Sequence, residues 1–301
     1  MSEKYIQANG LRLAYDEFGD AANPSIVLIM GLGTQMIAWP VPFCEGLADH
    51  GFHVVRFDNR DIGLSEKMSE AKKPKFARMI LFQKMRIPYQ VPYTLKDMAT
   101  DAVGLMDALN IDKAHVVGAS MGGMIAQLVA VHFPERVLSL TSIMSTSGNP
   151  RYSRPKPEVL KVMAKRVRAA GKFDLDGAVE FWRLIESPDY RMTDEVIKSK
   201  VLTSYNRSNH PDGYSRHIAA IIHGGSRVKL LEKITSPALV IHGKSDVLVP
   251  VEGGIDTARH IKGAKLELID GMGHNLPGPL LPKLIELITA HALASTPTTA
   301  A

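Results

Sequence analysis

The sequence predicts an α/β protein with a largely parallel sheet, and two features of the chain support this prediction. Short β-rich runs alternate with helical patterns over most of its 301 residues, which is typical of this fold class. The alternation stops between Asn149 and Ser236, where helical stretches follow one another. We therefore expect an α/β core, residues 1–148 and 237–301, that carries a helical insertion, residues 149–236.

The first two predicted strands form a hairpin at an antiparallel edge of the sheet. Lys4–Ala8 and Leu11–Phe18 are joined by Asn9-Gly10, a pair that fits a type I′ turn. Six further runs have the composition of strands that are buried on both faces. They are Ile26–Met30, His53–Asp58, His115–Ala119, Val137–Met144, Ala238–His242 and Lys265–Ile269.

Helices are predicted between these strands and within the insertion. Leu95–Leu109 has the clearest pattern, because Thr94 and Asp97 have the spacing of a capping box and the apolar residues form one stripe. The aromatic and apolar residues of the insertion are expected to pack mostly in its interior, or to line a site that it covers. Its helical patterns are Pro157–Ala170, Gly177–Ile185 and Asp194–Tyr205.

The composition excludes several classes of function. With 45% hydrophobic and 22% charged residues, the chain is in the ordinary globular range. The net charge of +5 comes from two basic stretches, 67–86 and 151–172, which match no nucleic-acid motif and favour a solvated face. The first stretch also contains apolar residues, so an interfacial or substrate-entry role is an alternative. No apolar run is long enough for a membrane span or a signal peptide, so we expect a soluble, cytoplasmic protein.

The cysteine and histidine content does not indicate a metal site. No spacing of these residues suggests zinc, and neither a metal nor a cofactor is expected. Cys44 is the single cysteine, and we expect it to be a small buried hydrophobic residue.

A serine between two glycines directly follows a predicted strand. In Gly118-Ala-Ser120-Met-Gly122, the glycines allow the strand to turn sharply into a helix. The carboxyl end of a parallel strand faces the ligand crevice, and the amides of the helix that starts near Met121 favour developing negative charge. We therefore expect Ser120 to be a nucleophile.

A serine nucleophile needs a base, and the base needs an acid that orients it. Asp246 and His274 each follow a late predicted strand, so both are expected at the same edge of the sheet as Ser120. The order Ser, Asp, His fits this arrangement. Asp270 is a rival acid, although it shares a loop with the base and is poorly placed to reach its far nitrogen. The other histidines that we considered lie in strands, on a helix or in the insertion: His115, His242, His132, His210, His217 and His223.

The negative charge that develops on the substrate oxygen needs hydrogen-bond donors. The Met121 amide, next after the nucleophile, is one predicted donor. The second is expected in the segment GLGTQ, residues 31–35, where glycines let the backbone approach a ligand closely. We expect the Leu32 amide there, with Gly33 as the alternative.

Three of these motifs together resemble one family. GASMGG at Ser120, SDVLVP at Asp246 and GMGHNLP at His274 resemble the α/β-hydrolase superfamily. The segments GLGTQMIAWP, GFHVVRFDNRDIGLS and AHVVGASMGGMIAQ are similar in particular to the aclacinomycin-methylesterase-like carboxylesterases. The resemblance implies an α/β-hydrolase fold with an eight-stranded sheet, a cap after the sixth strand and ester cleavage without a cofactor. It also implies a structural role for Asp58–Ser65, while Met30-Gly31 departs from the His-Gly of many relatives.

The function expected from the sequence is therefore that of a carboxylic ester hydrolase. It would form an acyl-enzyme on a small to medium, partly apolar ester. A lactonase or a cofactor-free perhydrolase using the same three residues is an alternative, and so is a ligand receptor with this fold. The expected partner is a small-molecule ester, neither nucleic acid nor stable membrane insertion is expected, and a homodimer is left open.

Overall fold

Eight strands form one twisted sheet in the computed structural model, which describes residues 3–85, 87–168 and 173–296. Their order across the sheet is β1-β2-β4-β3-β5-β6-β7-β8, and within this range β2 alone runs in the direction opposite to the other seven strands. The prediction of a mostly parallel, eight-stranded sheet is confirmed. The strands are β1 (Lys4–Ala8), β2 (Leu11–Phe18), β3 (Ser25–Ile29), β4 (His53–Phe57), β5 (Ala114–Ala119), β6 (Val137–Ile143), β7 (Ala238–Gly243) and β8 (Lys265–Ile269).

Four inner strands of the sheet are fully buried, whereas the last strand is partly exposed. Every residue of β3, β4, β5 and β7 is buried, as expected for strands covered on both faces. The sequence also predicts a doubly buried β8, and this prediction is wrong because Lys265 and Leu266 are exposed. The reason is position, since β8 is the last strand and pairs with β7 alone.

Helices connect the strands and cover both faces of the sheet. In the core, α3 and α4 pack against one face, and α1 and α11 pack against the other. The predicted capping box begins α3, because the Asp97 amide donates to Thr94 Oγ1 at 3.2 Å and Asp97 Oδ2 accepts from the Thr94 amide at 2.7 Å. These core helices are α1 (Val41–Asp49), α2 (Phe76–Lys84), α3 (Leu95–Ala108), α4 (Met121–His132), α10 (Val251–His260) and α11 (Leu281–Ser295).

The chain between β6 and β7, residues 144–237, is helical wherever the structure describes regular secondary structure there. We call it the β6–β7 segment. Its second helix starts two residues earlier than predicted, because Asp174 caps it by accepting a hydrogen bond from the Gly177 amide at 2.9 Å. The last two residues of the predicted first helix, 169 and 170, lie outside the described residues. Its helices are α5 (Pro157–Arg168), α6 (Leu175–Ile185), α7 (Asp194–Arg207), α8 (Pro211–Gly224) and α9 (Val228–Leu231).

The first basic stretch contains α2. Ile80 and Leu81 of this helix are exposed, and so is Met85, which directly follows it. Arg86 and Lys172, the last residues of the two basic stretches, lie outside the described residues. Cys44 is fully buried in α1, as predicted. No helix in the described ranges is both long and apolar enough to cross a bilayer.

Candidate active site

Ser120 lies in the turn between β5 and α4 and has a backbone conformation that few non-glycine residues adopt, with φ 56° and ψ −120°. The flanking glycines are a steric requirement of this turn. A Cβ atom on Gly118 would collide with the Gly122 carbonyl, and one on Gly122 would collide with the Ile29 carbonyl. The turn therefore packs tightly between the sheet and α4, and the Ser120 side chain faces a cavity.

Two hydrogen bonds in series connect Ser120 to a buried carboxylate. His274 Nε2 lies 2.9 Å from Ser120 Oγ, and His274 Nδ1 lies 2.6 Å from Asp246 Oδ2. The side chain of His274 is 6% exposed and that of Asp246 is fully buried. The structure thus brings together the three side chains that the sequence predicts, from the loops after β5, β7 and β8.

The Asp246 carboxylate is held on both of its oxygen atoms. Oδ1 accepts hydrogen bonds from the amides of Leu248 at 2.9 Å and Val249 at 2.8 Å, while Oδ2 faces His274. Burial raises the pKa of Asp246, but the charge and hydrogen bond of His274, together with the nearby His242 ring, outweigh burial and lower the pKa to about 2. Asp246 is therefore ionised at neutral pH. An ionised carboxylate on Nδ1 leaves Nε2 able to accept the serine proton.

The rival acid, Asp270, lies away from this arrangement. Its side chain is 82% exposed and pairs with Lys244 at 2.8 Å. His242 lies 3.5 Å from Asp246 Oδ2 but donates its Nε2 hydrogen to the Val249 carbonyl at 2.8 Å. Asp246, and not Asp270, is the carboxylate that contacts the His274 ring.

The GLGTQ segment forms a tight turn beside Ser120. The Thr34 amide donates to the Gly31 carbonyl at 3.3 Å, and a Cβ atom on Gly31 would lie 3.0 Å from that of Ser120. Leu32 lines the same cavity as Ser120, and Met121 is the first residue of α4. Across the described residues, the amides of Leu32 and Met121 donate to no protein acceptor.

Gly33, the alternative to Leu32, already has a partner for its amide. The Gly33 amide donates to Nδ1 of His217 in α8 at 3.3 Å. Sequence reasoning missed this contact, because it considered His217 only as a residue of the insertion. The two residues are 184 positions apart, and no local pattern connects them.

The β6–β7 segment also holds the loop that carries His274. The His274 amide donates to the Ile185 carbonyl at 2.7 Å, and the Gly273 amide donates to Ser187 Oγ at 2.9 Å. The Ser187 amide in turn donates to Asn275 Oδ1 at 3.0 Å. Sequence reasoning missed these contacts as well, although they hold the His274 backbone, the Gly273 backbone and the Asn275 side chain.

A cavity of about 820 Å³ lies above Ser120. Its volume is in the range of sites that hold drug-sized ligands. Lys73, Pro74 and Phe76 of the first basic stretch contribute to its wall. The β6–β7 segment supplies most of its large side chains: Val162, Met163, Phe173, Phe181, Trp182, Met192, Tyr205 and Tyr214.

In the part of the chain that the structure describes, no group of three or more His, Cys, Asp or Glu side chains is placed to hold a metal ion. The candidate site consists of a hydroxyl, an imidazole, a carboxylate and two backbone amides.

The fold and the geometry at Ser120 define the class of protein as an α/β hydrolase. Residues 24–277 match the family described as alpha/beta hydrolase fold, and the chain belongs to this family. The family resemblance inferred from the motifs is confirmed.

Three known proteins illustrate the relationship. The chain is 29% identical to rhodomycin D methylesterase DauP of Streptomyces sp. (strain C5), over 98% of this chain and 100% of that protein. It is 25% identical to a 2-hydroxy-6-oxononadienedioate/2-hydroxy-6-oxononatrienedioate hydrolase of Burkholderia vietnamiensis, over 88% and 85%. The crystal structure of the enol-lactonase from Burkholderia xenovorans LB400 superposes with a TM-score of 0.72 at 24% identity, covering 97% of this chain and 99% of that one.

Proposed function

We propose that this protein is a carboxylic ester hydrolase in which Ser120 is the nucleophile, His274 the general base and Asp246 the residue that orients the base. The observation that carries the proposal is the pair of hydrogen bonds that joins Ser120 Oγ, His274 and Asp246 at 2.9 Å and 2.6 Å. The 29% identity to a methylesterase over nearly the whole chain supports ester cleavage.

The reaction proceeds through an acyl-enzyme. Ser120 Oγ attacks the ester carbonyl carbon while His274 Nε2 takes the hydroxyl proton, and Asp246 stabilises the imidazolium that forms. The carbonyl oxygen becomes an oxyanion, which accepts hydrogen bonds from the amides of Leu32 and Met121. The loss of one such donor typically raises the barrier by about 2.7–4 kcal/mol.

His274 then returns the proton to the leaving oxygen, and the alcohol departs. A water molecule attacks the acyl-enzyme, with His274 again acting as the base, and the carboxylic acid is released. Each proton that leaves a nucleophile is thus delivered to a departing group, and the free enzyme is regenerated.

The cavity supports a preference for esters that are partly apolar. Its volume of about 820 Å³ accommodates an acyl group much larger than acetyl, and Phe181, Trp182 and Met163 provide apolar contacts. We propose that residues 149–236 act as a cap over Ser120 and that Lys73, Pro74 and Phe76 border the route of substrate entry. A small alcohol, such as the methanol that a methylesterase releases, is the simplest leaving group for this site.

The decisive experiment combines active-site labelling with an ester panel. We expect a fluorophosphonate to label Ser120 stoichiometrically and the protein to hydrolyse p-nitrophenyl esters with repeated turnover. Ser120→Ala should lower kcat by about four to six powers of ten while the protein remains folded, because the nucleophile is lost. Ser199→Ala is the matched control, since Ser199 also lines the cavity.

Two outcomes would contradict this proposal. Full activity of the Ser120→Ala protein would mean that another group performs the chemistry. Labelling of Ser120 with at most one turnover on every ester would instead indicate a ligand receptor. If the protein strongly preferred lactones over open esters, the proposed roles of the three catalytic residues would stand but the substrate class would change.

A further inference from the structure

His217 in α8 is fully buried and uses both of its ring nitrogens. Nε2 lies 2.9 Å from the Arg60 carbonyl oxygen, and Nδ1 lies 3.3 Å from the Gly33 amide nitrogen. A carbonyl oxygen only accepts hydrogen bonds, so Nε2 carries the hydrogen. A backbone amide only donates, so Nδ1 is the acceptor. The two contacts together define one neutral tautomer.

The surroundings of His217 keep the ring neutral. Burial lowers its pKa to about 4, even though the Arg60 carbonyl and the Asp61 carboxylate oppose this effect. Arg216 and Arg60 contribute in the same direction as burial. At neutral pH, Nδ1 therefore retains the lone pair that the Gly33 amide needs.

The position of α8 is fixed by an ion pair next to His217. Arg216 Nε and Nη2 lie 2.6 Å and 2.8 Å from the two carboxylate oxygens of Asp61. The Tyr93 hydroxyl donates to the same carboxylate at 2.7 Å. All three side chains are buried, so the His217 ring is held by contacts on its helix as well as by its own hydrogen bonds.

The orientation of the Gly33 amide also determines that of the Leu32 amide. Gly33 has φ 62°, and a Cβ atom there would collide with the Tyr214 ring of α8. The peptide planes that contain the Leu32 and Gly33 amides meet at the Leu32 Cα atom, within one tight turn. A hydrogen bond that fixes the second plane therefore restricts the first, whose amide has no protein acceptor among the described residues.

We propose that His217 is a positioning residue for ester hydrolysis, because it holds the Gly33 amide and thereby directs the Leu32 amide toward the oxyanion. This proposal rests on the proposed function. It links the position of α8 to the geometry of the oxyanion site. A protein with α8 displaced would still bind the ester but would stabilise the tetrahedral intermediate poorly.

Two substitutions distinguish the hydrogen bond of His217 Nδ1 from that of Nε2. In His217→Asn, the side-chain oxygen can occupy the position of Nδ1 and keep an acceptor for Gly33. In His217→Gln, the amide nitrogen can reach the Arg60 carbonyl, but no acceptor remains at the position of Nδ1. The pair therefore tests the Gly33 contact against general packing.

We expect His217→Gln to lower kcat by about 10- to 100-fold with KM changed by less than about threefold, because only transition-state binding is impaired. An alkyl trifluoromethyl ketone, which forms an oxyanion adduct on Ser120, should lose affinity by a similar factor. His217→Asn should retain kcat within about threefold of wild type. Hydrogen exchange at the amides of residues 31–34 should be faster in the glutamine variant than in the asparagine variant.

The proposal would be overturned if both variants lost kcat to the same extent and their melting temperatures fell together. A folded His217→Gln protein with wild-type kcat and ketone affinity would also overturn it. If the wild-type protein turns over no ester, the proposed function fails separately. Hydrogen exchange then tests the claim that His217 holds the Gly33 amide. Equal exchange of this amide in the two variants overturns that claim.

Discussion

The floor and the roof of the cavity are built in different ways. The floor consists of the loops after β3, β5, β7 and β8, where Ser120, His274 and Asp246 are held by short hydrogen bonds and tight turns. The roof consists of α5 to α8 and of Phe173, which precedes α6. Leu160, Phe173 and Tyr205 there leave more than a third of their surface exposed. The floor thus tolerates few substitutions, whereas the apolar side chains of the roof can be exchanged without breaking its hydrogen bonds. We infer that the floor, with the supports that Ser187 and His217 provide, determines the reaction, and that the apolar lining of the roof determines which esters fit.

The largest effect is expected when the negative charge of Asp246 in the floor is removed. Asp246→Asn should lower kcat for p-nitrophenyl esters by about four powers of ten, because a neutral amide neither stabilises the imidazolium nor fixes the tautomer of His274. Steady-state kinetics at neutral pH measures this loss. Asp270→Asn is the matched control, since Asp270 is exposed and pairs with Lys244. A kcat in the Asp246→Asn protein within about tenfold of wild type would remove Asp246 from the proposed mechanism.

A second prediction concerns the attachment of the roof to the core. Arg216→Met leaves the Asp61 carboxylate buried without its arginine, and such a loss typically costs about 3–5 kcal/mol. Urea unfolding should show this loss, and limited proteolysis should cleave the β6–β7 segment more rapidly. Lys73→Ala removes an exposed pair with Asp212 and should cost less than about 1 kcal/mol. Equal destabilisation by the two substitutions would mean that the buried pair does not anchor α8.

The smallest effect is expected for the lining of the roof. Trp182→Ala removes apolar surface from the cavity wall, so long acyl chains should lose contacts that acetate never makes. We expect kcat/KM for p-nitrophenyl decanoate to fall by about three- to tenfold, with the acetate value nearly unchanged. A parallel loss for both esters would indicate that Trp182 supports the floor as well.

The sequence predicts most of the core because its signals are local. β-branched runs give strands within one residue of their observed ends, as for Ala238–His242 against β7, and strand ends give the positions of Ser120, Asp246 and His274. Exposure of Lys265 was not predictable, because composition does not identify the last strand of a sheet. The contacts of Ser187 and His217 were not predictable either. They join segments 86 and 184 residues apart, and only the packed structure brings them together.

The contacts of Ser187 and His217 limit how the β6–β7 segment can be exchanged between relatives. One lies against the loop of His274 and the other against the turn at Gly33. A chimera that receives its helices from another member of the family would acquire a new binding surface together with a new set of supports for the catalytic loops. Swaps designed to alter substrate range alone should therefore retain the native residues at positions 187 and 217 along with their partners in the recipient scaffold.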